Sequence, residues 1–110
     1  MAGKFEIYVD NASEYRFRLK AGNGEIILSS EGYSSKAACK NGVDSVKTNA
    51  PDDKNYERKE STAGKFRFNL KAANHQIIGT SQSYASAASR DKGIDSVKRN
   101  AADAEVVEVS

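Results

Sequence analysis

A constant offset of 51 residues lays one half of this 110-residue chain over the other. Between Phe17–Ala50 and Phe68–Ala101, 18 of 34 aligned residues are identical, including Phe17/Phe68, Leu19/Leu70, Lys20/Lys71, Asn23/Asn74, Ile26/Ile77, Ile27/Ile78, Tyr33/Tyr84 and Gly42/Gly93. The run Asp-Ser-Val-Lys recurs whole at 44–47 and 95–98. Shared composition does not keep identities in register over such a length, so the chain is one unit written twice. A unit of half this length buries too little surface to be stable alone. The two copies are therefore expected to share a core, as one globular domain over 1–110 made of repeats at about 3–54 and 55–110.

Each copy begins with an alternating segment. Tyr15, Phe17 and Leu19 fall on one face and Arg16, Arg18 and Lys20 on the other; Phe66, Phe68 and Leu70 alternate with Arg67, Asn69 and Lys71 in the same way. That period of two predicts a half-buried strand. Asn23-Gly24 then supplies a hairpin turn tolerant of positive φ, ahead of the apolar run that ends at Leu28. The second copy has Asn74-His75 there, which places the single histidine at an exposed turn position and not in the role of a general base.

A helix follows in each copy. Ser35 and Ser86 are suitable N-caps, and Ala38, Gly42, Val43, Val46 and Ala50 recur on one stripe of small residues. A mid-helix glycine costs about 1 kcal/mol relative to alanine, so Gly42 and Gly93 predict a helix backbone lying very close to the sheet. Pro51 ends the first helix, because the residue before proline avoids helical geometry.

The offset also catches the flanks. Phe5–Val9 aligns with Tyr56–Glu60, and that segment with Val107–Val109, so one strand is written three times; the middle copy is the least apolar. The element order predicts an α+β fold: two β(3)-α-β repeats forming one antiparallel sheet, with both helices on the Phe17/Leu19 and Phe68/Leu70 side.

The doubled pattern Phe-x-Leu-Lys-Ala-x-Asn, paired isoleucines, Ser-x-x-Tyr and Gly-x-Asp-Ser-Val-Lys-x-Asn resembles the YegP-like family, small bacterial and archaeal proteins whose repeat is a domain of unknown function. The resemblance covers nearly the whole chain. It implies a single sheet in which the units exchange their C-terminal strands, with one-repeat members reaching the same arrangement as dimers. This chain would then be a monomer imitating a two-fold dimer. The family implies no activity, and so no functional residue.

Composition narrows the function classes. With 17 basic and 15 acidic residues the formal charge is only +2, so a pull toward nucleic acid or membrane must come from charge placement. No stretch approaches the ~20 apolar residues of a membrane span, and the first residues carry no apolar run, which gives the expectation of a cytoplasmic protein with no membrane partner. Cys39 is the single cysteine and aligns with Arg90, which excludes an intrachain disulfide and predicts a small buried filler.

No residue set predicts catalysis, a cofactor or a metal. Asp52 and Asp53 are adjacent acids in a loop, matched by Asp103 and Ala104, and are expected to solvate a helix exit. Ser45 and Lys47, like Ser96 and Lys98, lie two apart on a helix and point about 200° away from one another, with no glycine elbow at the serine. Gly22-Asn23-Gly24 lies in a hairpin, not between a strand and a helix, so it is no phosphate loop. The chain is expected to be a non-enzymatic binding or interaction module.

One surface offers chemistry. On the sheet face away from the helices, alternation places Arg16, Arg18, Lys20, Arg67 and Lys71 with Tyr8, alongside Glu6, Asn69 and Glu57. Cations on a sheet face track phosphates, and an exposed tyrosine stacks on a base. The same residues also make an ordinary solvated face with acids and bases paired across strands. A protein partner added at a sheet edge is a third possibility. Tyr33 and Tyr84 are expected in the core.

Because the units interlock, calorimetry of the whole chain should show a single cooperative transition. The separate fragments 1–54 and 55–110 should each lack a melting transition, and a half that melts cooperatively alone would contradict the shared core.

Overall fold

Apolar alternation and helical periodicity follow one another in the order β1 (Lys4–Val9), β2 (Tyr15–Lys20), β3 (Ile26–Ser29), α1 (Lys36–Asn49), β4 (Tyr56–Glu60), β5 (Phe66–Lys71), β6 (Ile77–Thr80), α2 (Ala87–Ala101) and β7 (Glu105–Glu108). A single 3-10 turn, Asp53–Asn55, joins α1 to β4. This is a computed structural model, and it describes residues 3–109. The seven strands form one sheet in the order β4-β5-β6-β3-β2-β1-β7. Six of them are symmetric about the junction of β3 with β6, where Ser29 stands opposite Thr80.

The α+β class, the two repeats and the placement of both helices against one face are as the repeat predicts. Two features of the sheet are more specific. It is mixed and not wholly antiparallel, because β7 runs parallel to β1, with Phe5 beside Val106 and Ile7 beside Glu108. The connection explains this: α2 carries the chain from β6 at the centre to the far edge, a crossover long enough to set down a parallel strand. Strand exchange is carried by β7, which crosses from the second unit to the first strand of the first. The strand after α1 is β4 itself, which pairs antiparallel with β5 and ends the sheet on the other side. Of the three copies of the edge strand, two are thus neighbours and one stands alone. The last begins at Glu105 and not Val107, since only Ala102–Ala104 separate it from α2.

Local signals act where the pattern places them. Ser35 Oγ accepts from the Ala38 amide and Ser86 Oγ from the Ser89 amide, each at 3.1 Å, capping the helices. Gly24 and His75 occupy matching hairpin positions with φ of +87° and +69°. His75 is an exposed turn residue.

The core lies between sheet and helices. Phe5, Phe17, Leu19, Leu28, Phe68 and Leu70 project from the sheet onto Val43, Val46, Ile94 and Val97, all fully buried. Each helix packs on the central strand of its own unit and also on strands of the other, α1 on β6 and β5, α2 on β3 and β1. Cys39 is fully buried and burial raises its thiol pKa, as suits a filler.

The mid-helix glycines face aromatic rings. Tyr33 stacks on Phe17 with ring centroids 6.3 Å apart, and Tyr84 on Phe68 at 6.4 Å. A β-carbon at Gly42 would sit 2.5 Å from Tyr33 Oη, and one at Gly93 closer still to Tyr84 Oη. The close approach is therefore to the side chains of these tyrosines, which reach under the helix from the strand-to-helix loop, and not to the sheet backbone. Gly93→Leu should cost roughly 2 kcal/mol net of helix propensity. The melting temperature should fall by on the order of 10 °C; no change on thermal unfolding would refute the close packing.

Candidate binding face

Away from the helices, alternation and register build two matched clusters. On one side of the β3–β6 junction, Glu6 stands opposite Arg18, Tyr8 opposite Arg16 and Lys4 opposite Lys20. On the other, Glu57 stands opposite Asn69 and Lys59 opposite Arg67. The structure brings Tyr8, Arg16, Arg18 and Lys20 together but sets Arg67 and Lys71 apart from them. Between β2 and β5 lie β3 and β6, so the clusters are about 14 Å apart at ordinary strand spacing.

Glu6 organises the first cluster. It is only 5% exposed, and its carboxylate accepts from Arg18 Nε at 2.7 Å while lying 3.2 Å from Lys20 Nζ and 3.7 Å from Lys4 Nζ. The Arg18 hydrogen bond outweighs the effect of burial and holds this carboxyl below the usual glutamate range. Three cations thus share one acid. Arg18 also lies over Tyr8, 4.6 Å from the ring centroid, so one face of that ring is already covered. Arg16 is bound to Asp10, whose carboxyl it holds low.

The second cluster repeats the plan with less charge. Glu57 accepts from Asn69 Nδ2 and Lys71 Nζ, each at 3.1 Å, with Lys59 Nζ at 3.7 Å. Asn69 holds the place of Arg18 and Lys59 that of Tyr8. The exposed Arg67 donates to Ser83 Oγ at 2.9 Å and has no acid partner among the described residues. Exposed Ile26 and Ile77 stand opposite Lys20 and Lys71. With Ser29, Glu31, Thr80 and Gln82, Ile26 lines a shallow groove of about 410 Å³ across the junction.

Sequence alternation finds the arginines but not the groove. Ladder irregularities between Leu19 and Lys20, and between Leu70 and Lys71, shift the register, so Ile27 and Leu28 are both buried while Ile26 is left exposed. Strict alternation also carries no sign that Glu6 is a buried hub. Lys4 and Lys59 were within reach of the same reasoning, since each lies two residues from an acid on an alternating strand.

The polar residues of the helices and of the loop after α1 that the sequence singles out have structural partners. Ser45 Oγ takes a hydrogen bond from Asn49 Nδ2 at 3.3 Å, whereas Lys47 lies over the Phe5 ring. Lys98 binds Asp53 at 2.8 Å, and Arg58 donates to the same carboxylate at 3.0 Å. These two cations, Arg58 first, hold the Asp53 carboxyl down to about 2. Asp52 caps the 3-10 turn through the Lys54 amide. Among the described residues no three His, Cys, Asp or Glu side chains gather as a metal site, and no helix is long and apolar enough to cross a membrane.

Two segments, residues 10–57 and 61–108, match the family described as Domain of unknown function (DUF1508). The chain belongs to this family. It is 71% identical, over 99% of its length and 98% of the relative's, to the UPF0339 protein in ptx operon 5'region of Stutzerimonas stutzeri. To the UPF0339 protein YegP of Escherichia coli K12 it is 57% identical, over 91% of each chain. The solution NMR structure of the protein of unknown function yegP from E. coli superimposes with a TM-score of 0.93 at 54% identity, covering 98% of this chain and 93% of that one. A UPF0339 protein from Shewanella oneidensis gives 0.92 at 47% identity, covering 98% and 92%. The resemblance seen in the doubled motif is a family relationship. These relatives carry no named enzymatic activity.

Glu6→Gln should lower stability at neutral pH by about 1–2 kcal/mol, since it leaves three cations without their shared acid. The folded pKa is depressed, so the contribution is present above the ordinary value of 4.5 and is lost as pH falls through the folded value. Denaturant unfolding from pH 7 to 3 should accordingly show the gap between wild type and variant closing at the acid end. A pH-independent gap would show that the charge of Glu6 contributes nothing.

Proposed function

We propose that the chain is a non-enzymatic binding module and that its open sheet face takes an extended anionic polymer, single-stranded nucleic acid in particular. The observation that supports this most is the local charge balance. Lys4, Arg16, Arg18, Lys20, Lys59, Arg67 and Lys71 share the face with Glu6, Asp10, Glu31, Glu57 and Glu105, the last beside Lys4 on β7. These seven cations and five acids place on this face an excess equal to the chain's whole formal charge of +2. Paired cations keep part of their hydrogen-bonding capacity, because Arg18, Lys20 and Lys4 divide one carboxylate among them.

Apolar and aromatic groups suit the same ligand. Ile26 and Ile77 lie between the clusters for contact with base faces, and the Arg18–Tyr8 layer offers its outer surface for stacking. Sequence specificity is not part of the proposal, since a flat face with few fixed acceptors favours backbone contacts. A cytoplasmic location and a monomeric state go with this reading.

Fluorescence titration of labelled single-stranded RNA and DNA at 50 and 200 mM salt tests it. Wild type should bind more weakly at the higher salt, and replacing Arg16, Arg18 and Arg67 together by glutamine should weaken binding on the order of tenfold. The slope of log affinity against log salt should fall by roughly 2 in that variant, at about 0.7 per phosphate contact on a single strand. Absence of binding by wild type at low salt would remove the proposal.

A further inference from the structure

The two units differ most at the outer edges of their first strands. On β1, the edge is covered by β7: Glu105–Glu108 pairs alongside Lys4–Ile7, and the Val109 amide donates to the Ile7 carbonyl at 2.8 Å. Glu108 is held by α1, with Lys36 Nζ at 2.7 Å and Lys40 Nζ at 3.7 Å. Ile7, beside Glu108 and facing the core, is 2% exposed. On β4, which matches β1 under the 51-residue offset, no strand among the described residues covers the edge. The fold therefore contains one filled and one vacant seat for a parallel strand.

Three substitutions separate the vacant seat from the filled one. Arg58 replaces Ile7, Asp91 replaces Lys40 and Ala87 replaces Lys36. Arg58 donates to Asp53 at 3.0 Å and to Asp91 at 3.3 Å, and Lys98 closes the group on Asp53. With Arg90, whose Nε also lies 3.3 Å from Asp91 Oδ1, they form a network of three cations and two acids along the margin where a strand would lie. Seating a strand like β7 there would bury Arg58 where the first unit buries isoleucine. It would also offer the incoming Glu108 neither lysine that holds it in the first unit, with Ala87 and an Asp91 already engaged by Arg58 and Arg90 in their places. Burying a charge is costly, and an incoming acid left without its cations adds to that cost.

We infer that the Arg58–Asp53–Asp91 cluster is a gatekeeper that keeps the outer edge of β4 from accepting the C-terminal strand of a second copy. The hazard it meets is built into the duplication. Every copy carries β7, a strand already shaped to pair in parallel with an edge of this kind, and every copy carries a second such edge. Pairing of β7 from one molecule with β4 of the next is a head-to-tail contact, which builds rings or open chains of molecules. Charged residues that face inward on an edge strand are a recognised way to prevent this.

The test supplies the strand in trans. A synthetic peptide with the sequence of residues 104–110 is titrated to millimolar concentration into 15N-labelled full-length protein, with amide shifts followed on β4 and α2. Wild type should show no saturable shifts there. The double variant Arg58→Ile/Asp91→Lys, which rebuilds the features of the β1 seat, should show saturable shifts along β4 and an affinity at least tenfold above wild type. Asp91→Lys alone removes the exposed ion pairs with Arg58 and Arg90 while leaving the core untouched, and should bind measurably better than wild type even if the double variant does not fold. A peptide whose Glu108 equivalent is lysine should lose the gain on the lysine variants. Binding of the peptide to the β4 edge of wild type, or equal lack of binding by wild type and a folded Asp91→Lys protein, would overturn the inference.

Discussion

The two half-sheets become one at β3 and β6, and the rest of the molecule depends on that junction. The ladder itself is short, with Ser29 opposite Thr80, so backbone pairing alone does not hold the halves together. Side chains and helices complete the join. Leu28 lies over Gly79, where a β-carbon would come within 2.6 Å of the leucine side chain, and each helix spans from its own unit onto the other. Leu28 and Gly79 are aligned positions. Near a two-fold axis, identical large residues would compete for one space, and identical small ones would leave a void. A duplicated chain escapes that constraint because its two copies are free to differ, and here one supplies the bulk and the other the room.

The same freedom shapes the surfaces. On the open face, Arg18 becomes Asn69 and Tyr8 becomes Lys59, so the two acid-centred clusters share a plan but not a charge. At the edges, Ile7 becomes Arg58 and Lys40 becomes Asp91, so one edge is covered by β7 and the other faces solvent behind charges. In the turns, the left-handed position is held by Gly24 in one copy and His75 in the other. Between sheet and helix in each unit the core was held more strictly than at the junction or the edges: Phe17, Leu19, Val46 and Gly42 recur as Phe68, Leu70, Val97 and Gly93, all buried. Burial on all sides leaves fewer acceptable changes than a face in water.

What could be seen in the sequence follows from that contrast. Strands β2 and β5 were legible because Phe17 and Leu19, with their repeats, alternate cleanly against cations. The helices were legible because Ser35 and Ser86 cap stripes of small residues. The parallel setting of β7 was not, since a four-residue strand carries no mark of direction, and its start was displaced by two residues because alignment to Phe5 ignores how tightly the chain leaves α2. On the candidate face, the arginines were visible one by one, whereas their partners depend on register. Glu6 looks like any exposed strand acid until Lys4, Arg18 and Lys20 are known to converge on it. Irregular ladder steps at Lys20 and Lys71 likewise hid the exposure of Ile26 and Ile77, because strict alternation breaks there.

The departure from symmetry also bears on how the open face would engage a ligand. A strictly two-fold face offers a directional strand two equivalent poses, related by the axis through the β3–β6 junction, and gains nothing in selectivity from the second. Here the first unit presents Lys4, Arg16, Arg18 and Lys20 beside Glu6 and Asp10, while the second presents Lys59, Arg67 and Lys71 beside Glu57. Tyr8 has no aromatic counterpart, since Lys59 stands in its place. On the proposed reading, stacking on the Arg18–Tyr8 layer would be available at one end only, and a single-stranded ligand would find its two directions unequal in energy. Divergence after duplication thus gives a face that would be degenerate in a symmetric dimer two unlike ends, and with them a polarity for any directional ligand the proposal requires.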